Sequence, residues 1–194
     1  MRSLPPGFVV FDVGSRVDSE FSEYVGEVHY FDPNPAFIET LRTVKTNNTA
    51  SFYNPVGLSP VRGTLDYYPL FQSFHNRVVS CKKDDTANKI SFSTIRADEY
   101  IAEHNITHID LVKIDTEGHE LEVLKGFGEA LRIVDCVQFE YGGTFLDTGV
   151  KLRDVISYLE GYGFKSFKYL SQKGPVPITD FSDHYQYCNI LCTK

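Results

Sequence analysis

Four short apolar runs, each finishing at an acidic residue, constrain the fold of this chain more than any other feature. The runs end at Asp12, Asp32, Asp115 and Glu140. Short apolar runs are typical of strands buried in a parallel sheet. The carboxyl ends of parallel strands share one edge, and open α/β folds bind their ligands there. The sequence therefore predicts that these four carboxylates gather along one edge of a sheet.

Helical patterns separate the apolar runs. One helix should begin after Asn34, which is suited to cap it, and should place Phe37, Leu41 and Val44 on one face. Strands that alternate with helices predict an α/β fold, with a mostly parallel sheet and helices on both of its faces. Two further helical patterns cover 116–132 and 152–159.

The C-terminal part of the chain breaks this alternation. Residues 165–170 and 185–193 have the composition of strands, and no helical pattern lies between them. Strands joined without a crossover helix pair antiparallel, so we predict a final antiparallel hairpin. Earlier in the chain, 65–68 and 90–93 are predicted to form short additional strands, with a loop at 73–88 between them.

Size and charge narrow the class of protein. A length of 194 residues suits a single domain covering 1–194, and a net charge of −7 argues against nonspecific binding of nucleic acid. The N-terminus does not resemble a signal peptide, and no apolar run approaches the roughly 18 residues of a membrane-spanning helix. We therefore expect a cytoplasmic protein with no membrane span.

The first two strand ends have features of a nucleotide site. Gly14 would let the backbone approach a ligand closely, and the helix expected after it would offer free N–H groups. Asp32 follows Asp12 by about 20 residues, where a carboxylate can bind both ribose hydroxyls of an adenosine cofactor. The G-x-G-x-x-G pattern is absent, which disfavours an NAD-dependent oxidoreductase. The alternatives are an ordinary turn at Gly14 and a helix-capping role for Asp32.

The most specific motif lies at 109–126, where the sequence reads I-D-L-V-K-I-D-T-E-G-H-E-L-E-V-L-K-G. This segment resembles the signature K-I-D-x-E-G-x-E-x-x-x-L-x-G of the FkbM-type methyltransferases. Segments 30–35, 56–65, 95–100 and 139–140 also look like that family's strand and helix motifs, so the resemblance covers roughly residues 8–141. It implies a Rossmann-like class I methyltransferase fold, with a seven-stranded sheet that ends in an antiparallel hairpin.

The same resemblance implies S-adenosylmethionine as the methyl donor and a hydroxyl acceptor on a sugar, glycan or related small molecule. The family's first loop commonly reads G-x-N-x-G, whereas Arg16 and Asp18 stand at the asparagine and second glycine here. Arg16 could hold the donor's carboxylate and Asp18 its amino group. The alternative is a methyltransferase-like scaffold that has lost its cofactor and serves in binding. The residues expected to bind the cofactor are Asp12, Gly14, Arg16, Asp18, Asp32, Pro33 and Gly57.

Methylation of a hydroxyl requires a base, since the hydroxyl must lose its proton. Asp115 is the first candidate, followed by Glu117 and His119, although His119 could equally be a surface residue. Glu117 could instead have a purely electrostatic role, because a carboxylate is stabilised near the positive N-terminal end of a helix. Asp115 and Glu140 together could also hold Mg²⁺, which prefers oxygen ligands. The acceptor is expected to contact the loops at 73–88 and 140–148, which mix aromatic and polar residues.

Overall fold

The structure is a computed structural model that describes residues 5–194. Its strands are β1 (Val9–Val13), β2 (Glu27–Phe31), β3 (Ala50–Asn54), β4 (Gly57–Leu58), β5 (Gly63–Tyr67), β6 (Ile90–Ile95), β7 (Ile109–Ile114), β8 (Val134–Tyr141), β9 (Ser166–Ser171), β10 (Gly174–Pro177) and β11 (Cys188–Thr193). Its α-helices are α1 (Pro35–Thr43), α2 (Val78–Cys81), α3 (Ala97–Glu103), α4 (Glu120–Phe127), α5 (Phe145–Thr148) and α6 (Leu152–Glu160). Short 3₁₀ helices cover Thr86–Asn88 and Gly128–Ile133.

The main sheet has eight strands in the order β10-β9-β11-β8-β7-β1-β2-β3. The five neighbouring strands β8, β7, β1, β2 and β3 run parallel to one another. The strand β11 pairs antiparallel with both β8 and β9. The predicted α/β fold with an antiparallel C-terminal hairpin is therefore confirmed. The sheet has one strand more than the expected seven, and the strand motif expected at 56–65 lies in a different sheet, since the third parallel strand is β3 before it. The strand β10 was not predicted, because its prolines Pro175 and Pro177 suggest a loop in the sequence. An edge strand tolerates proline because it needs fewer backbone donors.

Side chains alternate between the two faces of the sheet, and helices cover both. On one face, Ile38 and Leu41 of α1 pack with a cluster that includes Val10, Tyr30 and Leu111. The inner residues of α3, α4 and α6 belong to a larger cluster, which contains the neighbouring strand residues of opposite orientation. Asn34 caps α1 as predicted, because its side chain accepts a hydrogen bond from the Ala36 N–H at 3.1 Å.

The buried face of α1 differs from the predicted one. Ile38 and Leu41 are fully buried, whereas Val44 is 37% exposed and Phe37 is only partly covered. Phe37 instead lines a cleft at the carboxyl edge of the sheet. Helical periodicity identified the helix correctly, but it cannot distinguish a side chain that faces the core from one that faces a cleft.

The middle of the chain forms a separate three-stranded sheet in the order β4-β6-β5. The strands predicted at 65–68 and 90–93 correspond to β5 and β6, which pair antiparallel from Gly63–Thr94 to Tyr67–Ile90. The predicted loop between them contains α2 and one 3₁₀ turn. Gly126 of α4 lies directly against the Ser59 backbone, which brings this small sheet close to the main one.

The connection between β1 and β2 corrects one prediction. The helix expected after Gly14 does not form, and residues 14–26 are turns and bends. Gly14 and Arg16 have φ angles of 80° and 53°, which belong to the left-handed region rather than to a right-handed helix. A parallel crossover usually needs a dozen or more residues, so the turns between β1 and β2 leave almost no residues for a helix. Across residues 5–194, no helix has the length and apolar character needed to cross a membrane.

Candidate active site

A cleft opens at the carboxyl edge of the main sheet. We call it the main cleft. The residues that line it come from the ends of β1, β2 and β7 and from the 56–74 segment. Eight of the residues singled out in the sequence line this cleft: Gly14, Arg16, Asp32, Pro33, Gly57, Asp115, Glu117 and His119.

Asp32 follows β2 directly, and its carboxylate organises the loop around it. Its two oxygens accept hydrogen bonds from the backbone N–H groups of Asn34 at 2.9 Å and Arg16 at 3.1 Å. The residue is only 4% exposed, and burial raises the pKa of its carboxyl to about 6 against these two hydrogen bonds. A carboxylate offers about four acceptor positions, so Asp32 keeps acceptor capacity toward the cleft.

Gly14 brings the loop after β1 against the end of β7. Its φ angle is 80°, and a Cβ atom built at this position would lie 1.8 Å from the carbonyl oxygen of Asp115. Only glycine fits such a close approach in this conformation. The first loop and Asp115 are therefore held together by backbone contact, which places Asp115 and Asp32 on the same cleft.

One wall of the main cleft is apolar. Pro33, Phe37, Val56, Leu58 and Phe74 contribute to it. Gly57 lies behind the ring of Phe74, and a Cβ atom at Gly57 would come within 2.7 Å of that ring. This wall gives the cleft a surface suited to a flat, mostly apolar group, beside the polar edge formed by Asp32.

Two of the predicted cofactor residues do not line the main cleft. Asp12 is fully buried, where its carboxylate pairs with Lys113 Nζ at 3.2 Å and accepts a hydrogen bond from Ser19 Oγ at 2.5 Å. Asp18 is exposed and lines an adjacent cleft together with Glu20. Asp12 therefore supports the first loop from beneath the cleft. It also neutralises Lys113, whose Nζ lies 3.7 Å from the carboxylate of Asp115.

Three carboxylates meet beside the main cleft, and two of them, Asp115 and Glu117, line it. The side chains of Asp115, Glu117 and Glu140 each offer an oxygen, and these oxygens all lie within 4.8 Å of one another. Burial and the negative charge of Asp115 raise the pKa of Glu140 to about 8. Burial also raises the pKa of Glu117, although Arg77 opposes this shift from 3.1 Å. Such a cluster is suited either to accepting a proton or to binding a divalent cation.

His119 is buried, which excludes the surface alternative for this residue. It is 5% exposed, its Nδ1 lies 3.1 Å from Nε2 of His75, and its own Nε2 has no hydrogen-bond partner among the described residues. Burial lowers the pKa of His119 to about 3, with a smaller contribution from His75. A neutral imidazole with so low a pKa is a weaker base than the neighbouring carboxylates, but it can still form hydrogen bonds.

The loop between β7 and α4 is held in place by Glu120. One oxygen of this carboxylate accepts hydrogen bonds from the N–H groups of Thr116 at 3.0 Å and Gly118 at 3.1 Å, and from the Thr116 hydroxyl. Glu117, between these two residues, adopts a φ angle of 55°. The second glutamate of the signature therefore fixes the backbone that presents Glu117 to the cleft.

The two loops expected to contact the acceptor touch each other. Asp147 of α5 accepts hydrogen bonds from the backbone N–H groups of Val79 at 2.7 Å and Ser80 at 3.1 Å, in the first turn of α2. In the same region, Arg77 contacts both Glu117 and the hydroxyl of Tyr187. Side-chain hydrogen bonds therefore hold the 68–89 segment beside the carboxylates.

Sequence reasoning missed several residues that build this site. Arg77 is predicted from the sequence only as one of several residues in an acceptor loop, without its contacts to Glu117 and Tyr187, and Tyr187 is predicted only as part of a strand. They lie 110 positions apart, so no local pattern links them. Lys113 and Glu120 belong to the signature, and their supporting roles could have been suspected from that motif.

Comparisons with known proteins identify the family of this chain. The model of the methyltransferase FkbM domain matches residues 12–166. Hexuronic acid methyltransferase AglP of Haloferax volcanii is 30% identical over 155 residues, which cover 78% of this chain and 61% of AglP. The 31-O-demethyl-FK506 methyltransferase FkbM of Streptomyces tacrolimicus is 29% identical over 197 residues, covering 83% and 74% of the two chains. The match therefore spans about three fifths of AglP.

Solved structures show the same fold. A TehB-like SAM-dependent methyltransferase from Corynebacterium glutamicum superposes with a TM-score of 0.53 and 13% identity, covering 98% of this chain and 82% of the other. A putative rRNA methylase from Clostridium thermocellum superposes with a TM-score of 0.52 and 13% identity, covering 99% and 89%. At these identities the likeness concerns the fold alone, which is that of class I methyltransferases.

Proposed function

The chain belongs to the FkbM methyltransferase family, and we propose that it transfers a methyl group from S-adenosylmethionine to a hydroxyl on a sugar or related small molecule. The observation that carries this proposal is that Asp32 and Asp115 line one cleft at one edge of the sheet. Asp32 is suited to an adenosine ribose, and Asp115 lies where an acceptor would meet the donor.

The residues of the main cleft fit the donor. Asp32 keeps free acceptor positions for ribose hydroxyls, and the apolar wall with Pro33 and Phe37 is suited to the adenine ring. Arg16 of the main cleft and Asp18 of the adjacent cleft, which Arg16 also lines, carry the charges that the carboxylate and amino group of the donor require. When bound, S-adenosylmethionine supplies a methyl group activated by a positively charged sulfur.

Asp115 is proposed as the base that takes the proton of the acceptor hydroxyl. Glu140 and Glu117 lie beside it, and burial together with the charge of Asp115 raises the pKa of both, so the cluster is suited to holding a proton. A positioned base typically contributes 10²–10⁴-fold to a rate, roughly. His119, which is neutral, is proposed to orient the acceptor through hydrogen bonds rather than to remove its proton. Holding the acceptor oxygen in line with the methyl group supplies much of the remaining acceleration.

The names of two relatives support oxygen as the acceptor atom. One is named for hexuronic acid and the other for a 31-O-demethyl compound. A second use of the carboxylates is to bind Mg²⁺, which the mutual distances of Asp115, Glu117 and Glu140 would allow. The two readings differ in one measurement, because EDTA abolishes turnover only if a divalent cation takes part.

The test of the proposal is calorimetric titration with S-adenosylmethionine and S-adenosylhomocysteine. We expect saturable binding that Asp32→Ala weakens roughly 10- to 100-fold, since hydrogen bonds to a carboxylate contribute about 1.5–3 kcal/mol each. Asp135→Ala is the matched control, because Asp135 is 63% exposed at the amino end of β8. Asp115→Asn should abolish methyl transfer in a tritiated-methyl acceptor screen and keep donor affinity.

The non-catalytic alternative makes the opposite prediction. A scaffold that has lost its cofactor gives no heat with either compound and no increase in melting temperature. Such a result for the unmodified chain would reject the enzymatic proposal, whatever the variants do.

A further inference from the structure

A second cleft adjoins the main cleft at Arg16, Gln72 and Glu117, which line both. Three of its lining residues are cations, Arg16, Arg77 and Lys83, and its one acidic residue is Glu117. We call it the basic cleft. This concentration of positive charge contrasts with the net charge of −7 of the whole chain.

These cations have unused hydrogen-bonding capacity. Within residues 5–194, the side chains of Arg16 and Lys83 form no ion pair or hydrogen bond with another residue, and both residues are exposed. Arg77 donates from Nε to Ser80 Oγ at 3.2 Å, from Nη1 to Glu117 at 3.1 Å, and from Nη2 to Tyr187. A guanidinium has five N–H donors, so two remain after these three bonds.

Convergent cations repel one another, and a bound anion offsets that repulsion. Arg77 is already oriented by Glu117 and Tyr187, so it loses little rotational freedom when it binds a ligand. A planar guanidinium beside an ammonium group matches the geometry of a carboxylate or phosphate. The basic cleft therefore has the chemistry of an oxyanion site.

We propose that the basic cleft binds an oxyanion carried by the methyl acceptor, so that the acceptor is an acidic sugar or a comparably anionic small molecule. This inference rests on the proposed function. Glu117 lines both clefts, and its carboxylate lies within 4.8 Å of that of Asp115. An acceptor anchored by its anion in the basic cleft would present a neighbouring hydroxyl to Asp115.

Lys83 separates this inference from an alternative role in donor binding. Arg16 lines the main cleft as well as the basic cleft, and its charge also suits the donor's carboxylate. Lys83 and Arg77 line the basic cleft and not the main cleft. A substitution at Lys83 should therefore weaken binding of the acceptor's anion and leave donor binding unaffected.

The experiment is an NMR titration of the full chain saturated with S-adenosylhomocysteine. The probes are D-glucuronate, inorganic phosphate and neutral D-glucose, with sodium chloride at matched ionic strength as the reference. We expect glucuronate and phosphate, but not glucose or chloride, to shift the Arg77 Nε–H and Lys83 N–H signals in a saturable way. The tighter of the two anions identifies the oxyanion as a carboxylate or a phosphate.

A matched pair of variants locates the site. Lys83→Asn should lower the affinity for the anion about fivefold or more, which is the effect of removing one partly screened charge. Lys82→Asn removes the neighbouring charge, which does not line the cleft, and asparagine tolerates the φ angle of 54° found there. That control should change the affinity by less than about twofold, an effect within that of an exposed charge.

Three results would overturn the inference. Chloride could produce the same shifts, the two lysine variants could have equal effects, or S-adenosylhomocysteine could abolish anion binding that the ligand-free chain shows. The last result would assign the cations to the donor's carboxylate. Failure to bind S-adenosylhomocysteine at all would instead refute the proposed function, and with it the acceptor role of this cleft.

Discussion

The two halves of the main cleft are built by different kinds of contact. In the half suited to the donor, backbone groups determine the geometry: Asp32 accepts from two backbone N–H groups, and Gly14 lies against the Asp115 carbonyl. In the half proposed for the acceptor, side chains join separate loops: Glu117, which lines the main cleft, pairs with Arg77 of the 68–89 segment, and Arg77 also contacts Tyr187. One half depends on chain geometry, and the other on the identity of individual side chains.

This difference indicates which contacts tolerate amino-acid substitution and which do not. A backbone contact such as that of Gly14 tolerates almost no substitution, because it leaves no room for a Cβ atom. A side-chain bond between loops can be replaced without altering the strands that carry the loops. We therefore expect the donor half to accept few changes and the acceptor half to determine which compound is methylated.

The largest expected effect comes from Gly14→Ala. The new Cβ would meet the Asp115 carbonyl oxygen at 1.8 Å in a backbone with a φ angle of 80°. We expect the free energy of unfolding to fall by roughly 3 kcal/mol or more, from backbone strain together with displacement of the loop, and donor affinity to be lost. Urea unfolding and calorimetry measure both quantities.

Gly149→Ala is the control for this prediction. Gly149 has a φ angle of 70°, but nothing lies within 4 Å of the position of a Cβ atom. Strain alone should cost about 1–2 kcal/mol there. Equal losses for the two variants would show that the approach of Gly14 to Asp115 does not govern the donor half.

A smaller effect is expected from Asp147→Ala in the acceptor half. It removes the carboxylate that accepts the N–H groups of Val79 and Ser80, and such caps contribute about 1 kcal/mol. Proteolysis within 68–89 should become faster and methyl transfer slower, while affinity for S-adenosylhomocysteine stays within about twofold, since no donor contact changes. Asp154→Ala serves as the control, because Asp154 accepts the Lys151 N–H at 3.0 Å in a different helix. Equal loss of donor affinity and turnover would remove the distinction between the halves.

The smallest effect is the pH dependence that Glu140 adds to stability. Its pKa is raised from 4.5 to about 8, so between these values the folded chain holds a proton that the unfolded chain releases. The free energy of unfolding must therefore fall as the pH rises through this window. Glu140→Gln cannot ionise, so it should be more stable than the parent at pH 8 by about 1 kcal/mol, after allowance for solvent screening.

Urea unfolding at several pH values tests this prediction. The advantage of Glu140→Gln should shrink as the pH falls toward 4.5 and vanish below it, where the parent carboxyl is protonated in both states. Glu129→Gln is the comparison, because Glu129 is 78% exposed. An advantage that grows as the pH falls would contradict the raised pKa.

Much of the fold followed from local patterns. The apolar runs identified the central strands, and Asn34 marked the start of α1 because capping depends on neighbouring residues only. The eighth strand was missed because its two prolines are typical of loops as well as of sheet edges. The helix expected after β1 was wrong, because Gly14 and Arg16 turn the chain in a short crossover.

The candidate site was predictable to the extent that strand ends define it. Asp32 and Asp115 each follow a strand of the same parallel sheet, so their shared edge was expected. The placement of Asp12 beneath the site was not, because it depends on the charge of Lys113 in the next strand. The basic cleft could not be foreseen either, since Arg16 and Lys83 are far apart in the chain.

By itself, the sequence determined the central strands with the helices that follow them, the signature at 109–126 and the carboxylates at the strand ends, because each depends on residues that are close along the chain. The tertiary structure alone decided that His119 is buried, that Glu117 joins Asp115 and Glu140, and that Arg77 reaches Tyr187. These features arise from side chains that meet only after the strands have paired, and burial and charge then shift their pKa values in ways that no local pattern records.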